Sequence, residues 1–261
     1  MSSSTYLEAV SDVARLAGGI ASRYYRQRVS IETKSDGTPV TIADRTAEEA
    51  ARQWIEHRFP EDGLIGEEFP IVRPDARRKW IIDPIDGTKS FVRDVPLWGT
   101  LVAVAEGTEI IAGAAFFPEL SEMVAAANGC GCWWNGSRAS VSSVANLSNA
   151  TILTSQTPFS SDAECSRRWH KLETIARVSR TWGDCFGYLM VATGRAEAMA
   201  DPVLSSWDIA PFLPIIREAG GVLTDFTGAV TAFGGSAIAT NAALDDIVRD
   251  MLIASRKPGH P

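Results

Sequence analysis

The run Trp80-Ile81-Ile82-Asp83-Pro84-Ile85-Asp86-Gly87-Thr88 constrains this chain more than any other segment, because an apolar strand stops at an acid and a second acid follows close behind. Pro84 biases Asp83 toward an extended backbone, and Gly87 permits a close approach of backbone to a ligand. A loop at a strand end holds such acids in fixed positions, so both carboxylates can point at a shared cation. Asp-Pro and Asp-Gly are also common turn dipeptides, and alone the segment carries little. Two further groups add weight. Gly66-Glu67-Glu68 closes another apolar stretch on acids, and Trp207-Asp208 opens a helical pattern after Ser205-Ser206. Singly, capping accounts for Asp208 and surface solvation for Glu68. Together, the acids suit Mg²⁺, which favours octahedral ligation by a few carboxylates, water and substrate phosphate. Clustered carboxylates repel one another without cations. A two-metal site also suits phosphate-ester hydrolysis, one cation activating water and the other stabilising the leaving oxygen.

The 261 residues are 45% apolar and 22% charged, enough to bury a substantial core in one large domain or two small ones. No stretch approaches the roughly 20 uninterrupted apolar residues of a membrane span. The start, Met1-Ser-Ser-Ser-Thr-Tyr6, has neither a basic nor an apolar leader region, so the expected location is the cytoplasm. A net charge of −7 argues against nucleic-acid or anionic-membrane partners, which need a basic face. Divalent cations can still reverse the local charge for an anionic substrate. Cys130, Cys132, Cys165 and Cys185 fit neither a disulfide framework nor a zinc pattern and are expected as reduced thiols. His57, His170 and His260 are isolated, which leaves oxygen ligands for any metal.

Leu7, Val10, Val13, Ala17, Ile20 and Tyr24 predict an amphipathic helix over 6–26. A strand over 31–34 follows, and Thr41-x-x-Asp44 resembles a capping box opening a second helix. Strands are expected over 64–68 and from Trp80 to Asp83, and the β-rich runs 97–104 and 110–117 read as a hairpin around Glu106-Gly107. A small, polar stretch over 137–149 sets an expected boundary between an N-terminal α+β part, 1–145, and a C-terminal α/β part, 146–261. In the second part, strands over 151–154 and 178–181 alternate with helical patterns over 163–176 and 186–193. One helix is expected over 206–219, although Pro211 and Pro214 would remove hydrogen bonds or kink it. Strands over 222–224 and 236–240 and an amphipathic segment complete the chain.

Gly66-Glu67-Glu68, Asp83-Pro84-Ile85-Asp86-Gly87-Thr88 and Trp207-Asp208, in this order and at these intervals, resemble the signature of the inositol monophosphatase family. The resemblance runs over nearly the whole chain, from Lys34 to the segment ending at Asn241. It implies an α/β fold, a layered αβαβα sandwich, commonly dimeric, with the active site between the two parts. It also implies a phosphomonoesterase dependent on two or three Mg²⁺ ions. By motif position, Glu67, Asp83 and the Ile85 carbonyl would hold one ion, and Asp83, Asp86 and Asp208 the second. Thr88 would activate water with the support of Asp44, Glu67 would help position that water, the amides of Gly87 and Thr88 would receive the phosphate, and Lys34 would stand near it. The chemistry implied is in-line attack by metal-activated water without a covalent phosphoenzyme.

Asp86-Gly-Thr-Lys89-Ser-Phe-Val92, Trp182-Gly-Asp184 and Asp201-Pro202 look like the histidinol-phosphatase branch of that family. Histidinol phosphate carries a primary ammonium and an imidazole, for which a carboxylate at the pocket edge is a charge-matched partner, whereas inositol offers neutral hydroxyls. Asp184 and Asp201 are therefore the expected substrate-binding acids, with helix capping as the other account of Asp184. The expected substrate is a small-molecule phosphate, L-histidinol phosphate in histidine biosynthesis, and the expected assembly a homodimer. Inositol 1-phosphate, or another sugar or nucleotide 3′-phosphate, is the alternative. A regulatory member acting through protein or RNA partners fits the complete acid set and the acidic charge less well.

Overall fold

The computed structural model describes residues 2–27, 30–33, 39–157, 159 and 163–253. Helix α1 (Ser3–Ser22) starts on Ser2, whose side chain accepts the Thr5 amide, and buries Tyr6, Val10, Val13, Ala14 and Ala17 along one face. A small hairpin of β1 (Ile31–Thr33) and β2 (Pro39–Thr41) leads into α2 (Ile42–Arg58), which opens with the expected Thr41/Asp44 capping box. Next come β3 (Gly63–Gly66), β4 (Arg78–Asp86), the single turn α3 (Thr88–Phe91), β5 (Gly99–Glu106), β6 (Glu109–Phe117), β7 (Glu122–Ala127), β8 (Gly131–Trp134) and β9 (Ser137–Arg138). Strands β3 to β9 lie in chain order in a seven-stranded sheet. Only β3 and β4 are parallel within it.

The remaining elements are β10 (Thr151–Leu153), α4 (Ala163–Ile175), β11 (Val178–Arg180), α5 (Asp184–Ala192), β12 (Ala198–Asp201), α6 (Ser206–Ile209), α7 (Phe212–Glu218), β13 (Gly221–Thr224), β14 (Ala237–Asn241) and α8 (Asp245–Leu252). Their strands form a five-stranded sheet in the order β11-β10-β12-β14-β13.

Both sheets are apolar on both faces, since alternate side chains of each strand enter different cores. In the large sheet Trp80, Ile82, Val102, Val104, Ala112 and Ala114 pack with α1 and α2. Ile81, Leu101, Ala103, Ala115 and Val124 pack on the other side with α5 and α7, which also meet Met199, Leu223, Ala237 and Ala239 of the small sheet. The far face of that sheet, Ile152, Ala198, Ala200 and Ile238, packs with α4 and α8. Helix, sheet, helix, sheet, helix is the αβαβα sandwich that the resemblance implies.

The structure differs locally from the sequence expectations in three places. α1 stops at Ser22. The expected helix over 206–219 is two helices, with Pro211 as the cap between them and Pro214 in the first turn of α7, where a missing N–H breaks no internal bond. β3 stops before its acids, at Gly66, whereas β4 runs past Asp83 to Asp86.

That extension of β4 builds the site. Asp83 pairs with Leu101 and Asp86 with Gly99, so Pro84 and Ile85 stand opposite Thr100 alone, as a β-bulge. In a regular strand, acids three positions apart face opposite ways. The extra residue returns both to the side of Ile81 and Leu101, while Ile85 joins Ile82 on the α1/α2 side. Thr100 Oγ1 donates to the Pro84 carbonyl at 2.7 Å, and Asp83 Oδ1 accepts the Ile85 amide at 3.0 Å, fixing the irregular turn.

All four cysteines are free. No helix among the described residues is long and apolar enough to cross a membrane.

Candidate active site

The end of β4, α3, the loop after β3, the starts of α5 and α6 and the end of β12 converge on a cavity of about 400 Å³. One oxygen each of Asp83, Asp86 and Asp208 lies within 4.8 Å of the others. Glu67, Ile85, Gly87 and Thr88 line the same cavity. Acids far apart in sequence, from both sides of the expected 145/146 boundary, therefore share one space.

Each acid is held by its own element. Asp208 Oδ2 accepts the Ser205 amide at 2.8 Å, so this carboxylate caps α6 and also joins the acid group. Asp86 Oδ2 accepts the Cys185 amide at the start of α5, a contact between the sheet and the middle helix layer. Burial pushes the Asp83 carboxyl well above the usual range, with Glu67, Asp86 and Asp208 adding repulsion. Burial does the same to Asp86, followed by the charges of Asp184 and Asp208. Asp208 is pushed up to about 7, again by burial first, with Glu67 and Asp184 adding to it and the Ser205 amide opposing. An all-oxygen group of mutually repelling carboxylates fits a hard divalent cation, which removes the repulsion it pays for in isolation.

The two expected substrate acids occupy different positions. Asp184 is the first residue of α5, after the cap Gly183, and adopts a left-handed backbone with φ 50°. Its amide donates to Ser155 Oγ at 2.8 Å. A Cβ placed on Gly87 would stand 3.4 Å from Asp184 Oδ2, so this carboxylate reaches from α5 to the turn before α3. Burial raises the Asp184 carboxyl, and Lys89 opposes the rise. Asp201 also lines the cavity, but its oxygens serve neighbours. Oδ1 accepts the Ser155 amide at 2.9 Å, and Oδ2 accepts Ser155 Oγ at 3.0 Å and the Tyr188 hydroxyl at 3.2 Å. Burial pushes Asp201 up to about 6 despite these donors.

Asp44 is buried on α2, and its Oδ2 accepts both the Thr41 amide at 2.8 Å and the Thr41 hydroxyl at 2.7 Å. Burial raises its carboxyl, and Glu67 adds to the rise. Thr88 Oγ1 donates to the Ile85 carbonyl at 3.0 Å. Lys34 lies outside the described residues. Sequence reasoning assigned nothing to Lys89, Ser155, Gln156 and Tyr188, which also line the cavity. Lys89 stood inside a quoted motif and could have been found there. Ser155 had no motif, and its place depends on pairing with Asp201 from a different strand end.

A five-layered sandwich with oxygen-donor acids gathered where strands and helices end defines a class, the phosphoric monoester hydrolases that work with metal ions. The chain belongs to the inositol monophosphatase family, whose profile matches residues 2–256. It is 40% identical over 233 residues to a histidinol-phosphatase of Chlorobaculum parvum, covering 89% of this chain and 90% of that protein. It is 41% identical over 230 residues to a histidinol-phosphatase of Mycobacterium tuberculosis, covering 86% and 88%. Among solved structures, the extragenic suppressor protein suhB from Bartonella henselae superposes with a TM-score of 0.89 at 25% identity, over 98% of this chain and 100% of that one. An inositol monophosphatase from Zymomonas mobilis gives 0.86 at 29% identity, over 97% and 99%.

Proposed function

We propose that this phosphoric monoester hydrolase removes the phosphoryl group of L-histidinol phosphate, with Mg²⁺ held by Glu67, Asp83, Asp86, Asp208 and the Ile85 carbonyl. Bound among these oxygens, Mg²⁺ supplies Lewis acidity toward phosphate and water. The chain's own groups do the placing. Gly87, at φ 83°, turns the chain so that the Ser90 and Phe91 amides close on its carbonyl, and the Gly87 and Thr88 amides receive phosphate oxygens. The turn α3 is too short to add much dipole, so these two donors carry that contact. Thr88 activates the attacking water with the support of Asp44, Glu67 helps to position that water, and Lys34 assists the phosphate.

The observation that carries the substrate is Asp184, a partly buried carboxylate held in a left-handed conformation on the cavity wall beside Gly87. Such backbone strain persists where the surroundings enforce it and is concentrated at ligand sites. Its carboxylate meets the substrate's cationic end, a preference that neutral hydroxyls do not share. Asp201 serves the substrate through Ser155, which it fixes with both oxygens and which in turn holds Asp184. The likeness to two histidinol-phosphatases supports the same substrate. On this reading, residues 1–145 bring the phosphate site and most metal ligands, and residues 146–261 bring Asp208 and substrate selection. The chain then works as a cytoplasmic homodimer in histidine biosynthesis, without a nucleic-acid or membrane partner.

The test is phosphate release from histidinol phosphate, inositol 1-phosphate and a nucleotide 3′-phosphate, with Mg²⁺ and with chelator, for the wild type and Asp184→Ala. We expect histidinol phosphate to be fastest, chelator to abolish release, and Asp184→Ala to lower kcat/KM for histidinol phosphate about 10- to 100-fold, as for loss of a charge-assisted bond. Faster hydrolysis of inositol 1-phosphate by the wild type overturns the substrate, and full activity in chelator overturns the metal.

A further inference from the structure

We infer that Glu48 and Arg52, neither of which lines the cavity, form a clamp that positions Glu67 for cation binding; this rests on the metal site proposed above. Asp44, Glu48 and Arg52 recur every four residues and so share one face of α2. Glu48 is 0% and Arg52 8% exposed. Arg52 Nε donates to Glu48 Oε1 at 2.7 Å. The other Glu48 oxygen, Oε2, accepts the Glu68 amide at 2.8 Å. The guanidinium continues along the same loop, donating to the carbonyls of Phe69 at 3.0 Å and Pro70 at 3.1 Å, and lies 5.6 Å from the Phe69 ring centroid. One ion pair thus grips three consecutive residues immediately after Glu67.

The residue before Glu67 is held from the same side. A Cβ on Gly66 would fall 2.0 Å from Glu48 Oε1, so the carboxylate packs directly on the glycine backbone. Glu67 is therefore bracketed by two residues whose positions the same carboxylate dictates. β3 ends at Gly66, so the clamp holds the chain where the strand stops. A buried ion pair is a costly way to fill space, and well-packed apolar residues would stabilise as much. What the pair adds is direction, since a planar guanidinium fork and a two-oxygen acceptor fix a loop's orientation as apolar contacts do not. Because Arg52 offsets the charge of Glu48, the pair acts on Glu67 through placement.

The test compares the wild type with Glu48→Gln, Arg52→Lys and Glu67→Gln in two measurements, the rise of Tm on titration with Mg²⁺ and the Mg²⁺ concentration for half-maximal phosphate release. Loss of groups that orient metal ligands typically weakens metal binding about 10- to 100-fold. We expect Glu48→Gln to raise the Mg²⁺ concentration at the midpoint of the Tm rise about tenfold, with KM for the phosphate ester at saturating Mg²⁺ unchanged. Arg52→Lys keeps the charge without the fork and should show the same shift to a smaller degree; it also answers the question if Glu48→Gln does not fold. Glu67→Gln should weaken Mg²⁺ binding at least as much. If Glu67→Gln loses Mg²⁺ binding while Glu48→Gln and Arg52→Lys merely lower Tm and titrate as the wild type, the clamp is overturned. If Glu67→Gln itself binds Mg²⁺ normally, the metal-site assignment fails and takes the clamp with it.

Discussion

Asp83 stands nearly out of water among Glu67, Asp86 and Asp208, and its neutral amide would keep the shape and remove the charge. Asp83→Asn should therefore lower kcat by about two orders of magnitude or more while the protein melts no lower in chelator, because a repelling charge has gone. Near-normal turnover by this variant would remove Asp83 from the metal set. Asp201 gives a pH prediction with a definite sign. Its folded carboxyl titrates near 6 against an ordinary 3.8, so the folded state binds the proton more tightly than the unfolded chain. Its contribution to stability is greatest below pH 4 and is lost as pH rises through about 6, by up to about 3 kcal/mol. Urea unfolding of the wild type and Asp201→Asn between pH 4 and 7 should give a shallower decline for the variant, and parallel curves would show that Asp201 does not titrate in this range. The acids at 67, 83, 86 and 208 were legible only in combination, because turn formation, solvation or capping accounts for each group alone, whereas their order and intervals resemble one family's signature. The partners of Asp201 were not, since Ser155 comes from another strand end and nothing in its own neighbourhood announces it.

At the level of elements, β6 approaches the break between α6 and α7 so closely that a Cβ on Gly113 would lie 2.2 Å from the Pro211 carbonyl oxygen. Backbone cannot swing aside as a side chain can. Gly113→Ala should cost about 2 kcal/mol or more in urea unfolding, and kcat should fall too, because Asp208 lies on α6 just before that break. Unchanged stability would show that the two layers can separate locally. Helices with one wet face, such as α1 and α2, were legible from their apolar stripes. The boundary between α6 and α7 was not, because a helix packed between two sheets is apolar on nearly every side and its proline can either end a helix or begin one. The reach of β4 was hidden likewise: Asp-Pro reads as a stop, and the pairing of Asp86 with Gly99 is a property of the neighbouring strand.

For the molecule as a whole, the layered packing leaves Cys130 partly exposed and buries Cys132, Cys165 and Cys185. Burial pushes the Cys132 thiol up to about 12 and raises Cys185 as well. A thiol reagent at neutral pH should modify one cysteine quickly in the native protein and all four after unfolding; rapid loss of all four from the native protein would contradict this packing. The class of the fold was legible from alternating strands and helices, but the order of its layers came from family resemblance, because two-sided sheets give no pattern that says which helix covers which face. The bulge in β4 gives the motif a reading frame. Copied onto an unbroken strand of some other protein, Asp-x-x-Asp would place its carboxylates on opposite sides of the sheet, a whole layer apart, however faithfully the letters were kept. Whoever wishes to transplant this chemistry must carry over the miscounted residue along with the acids.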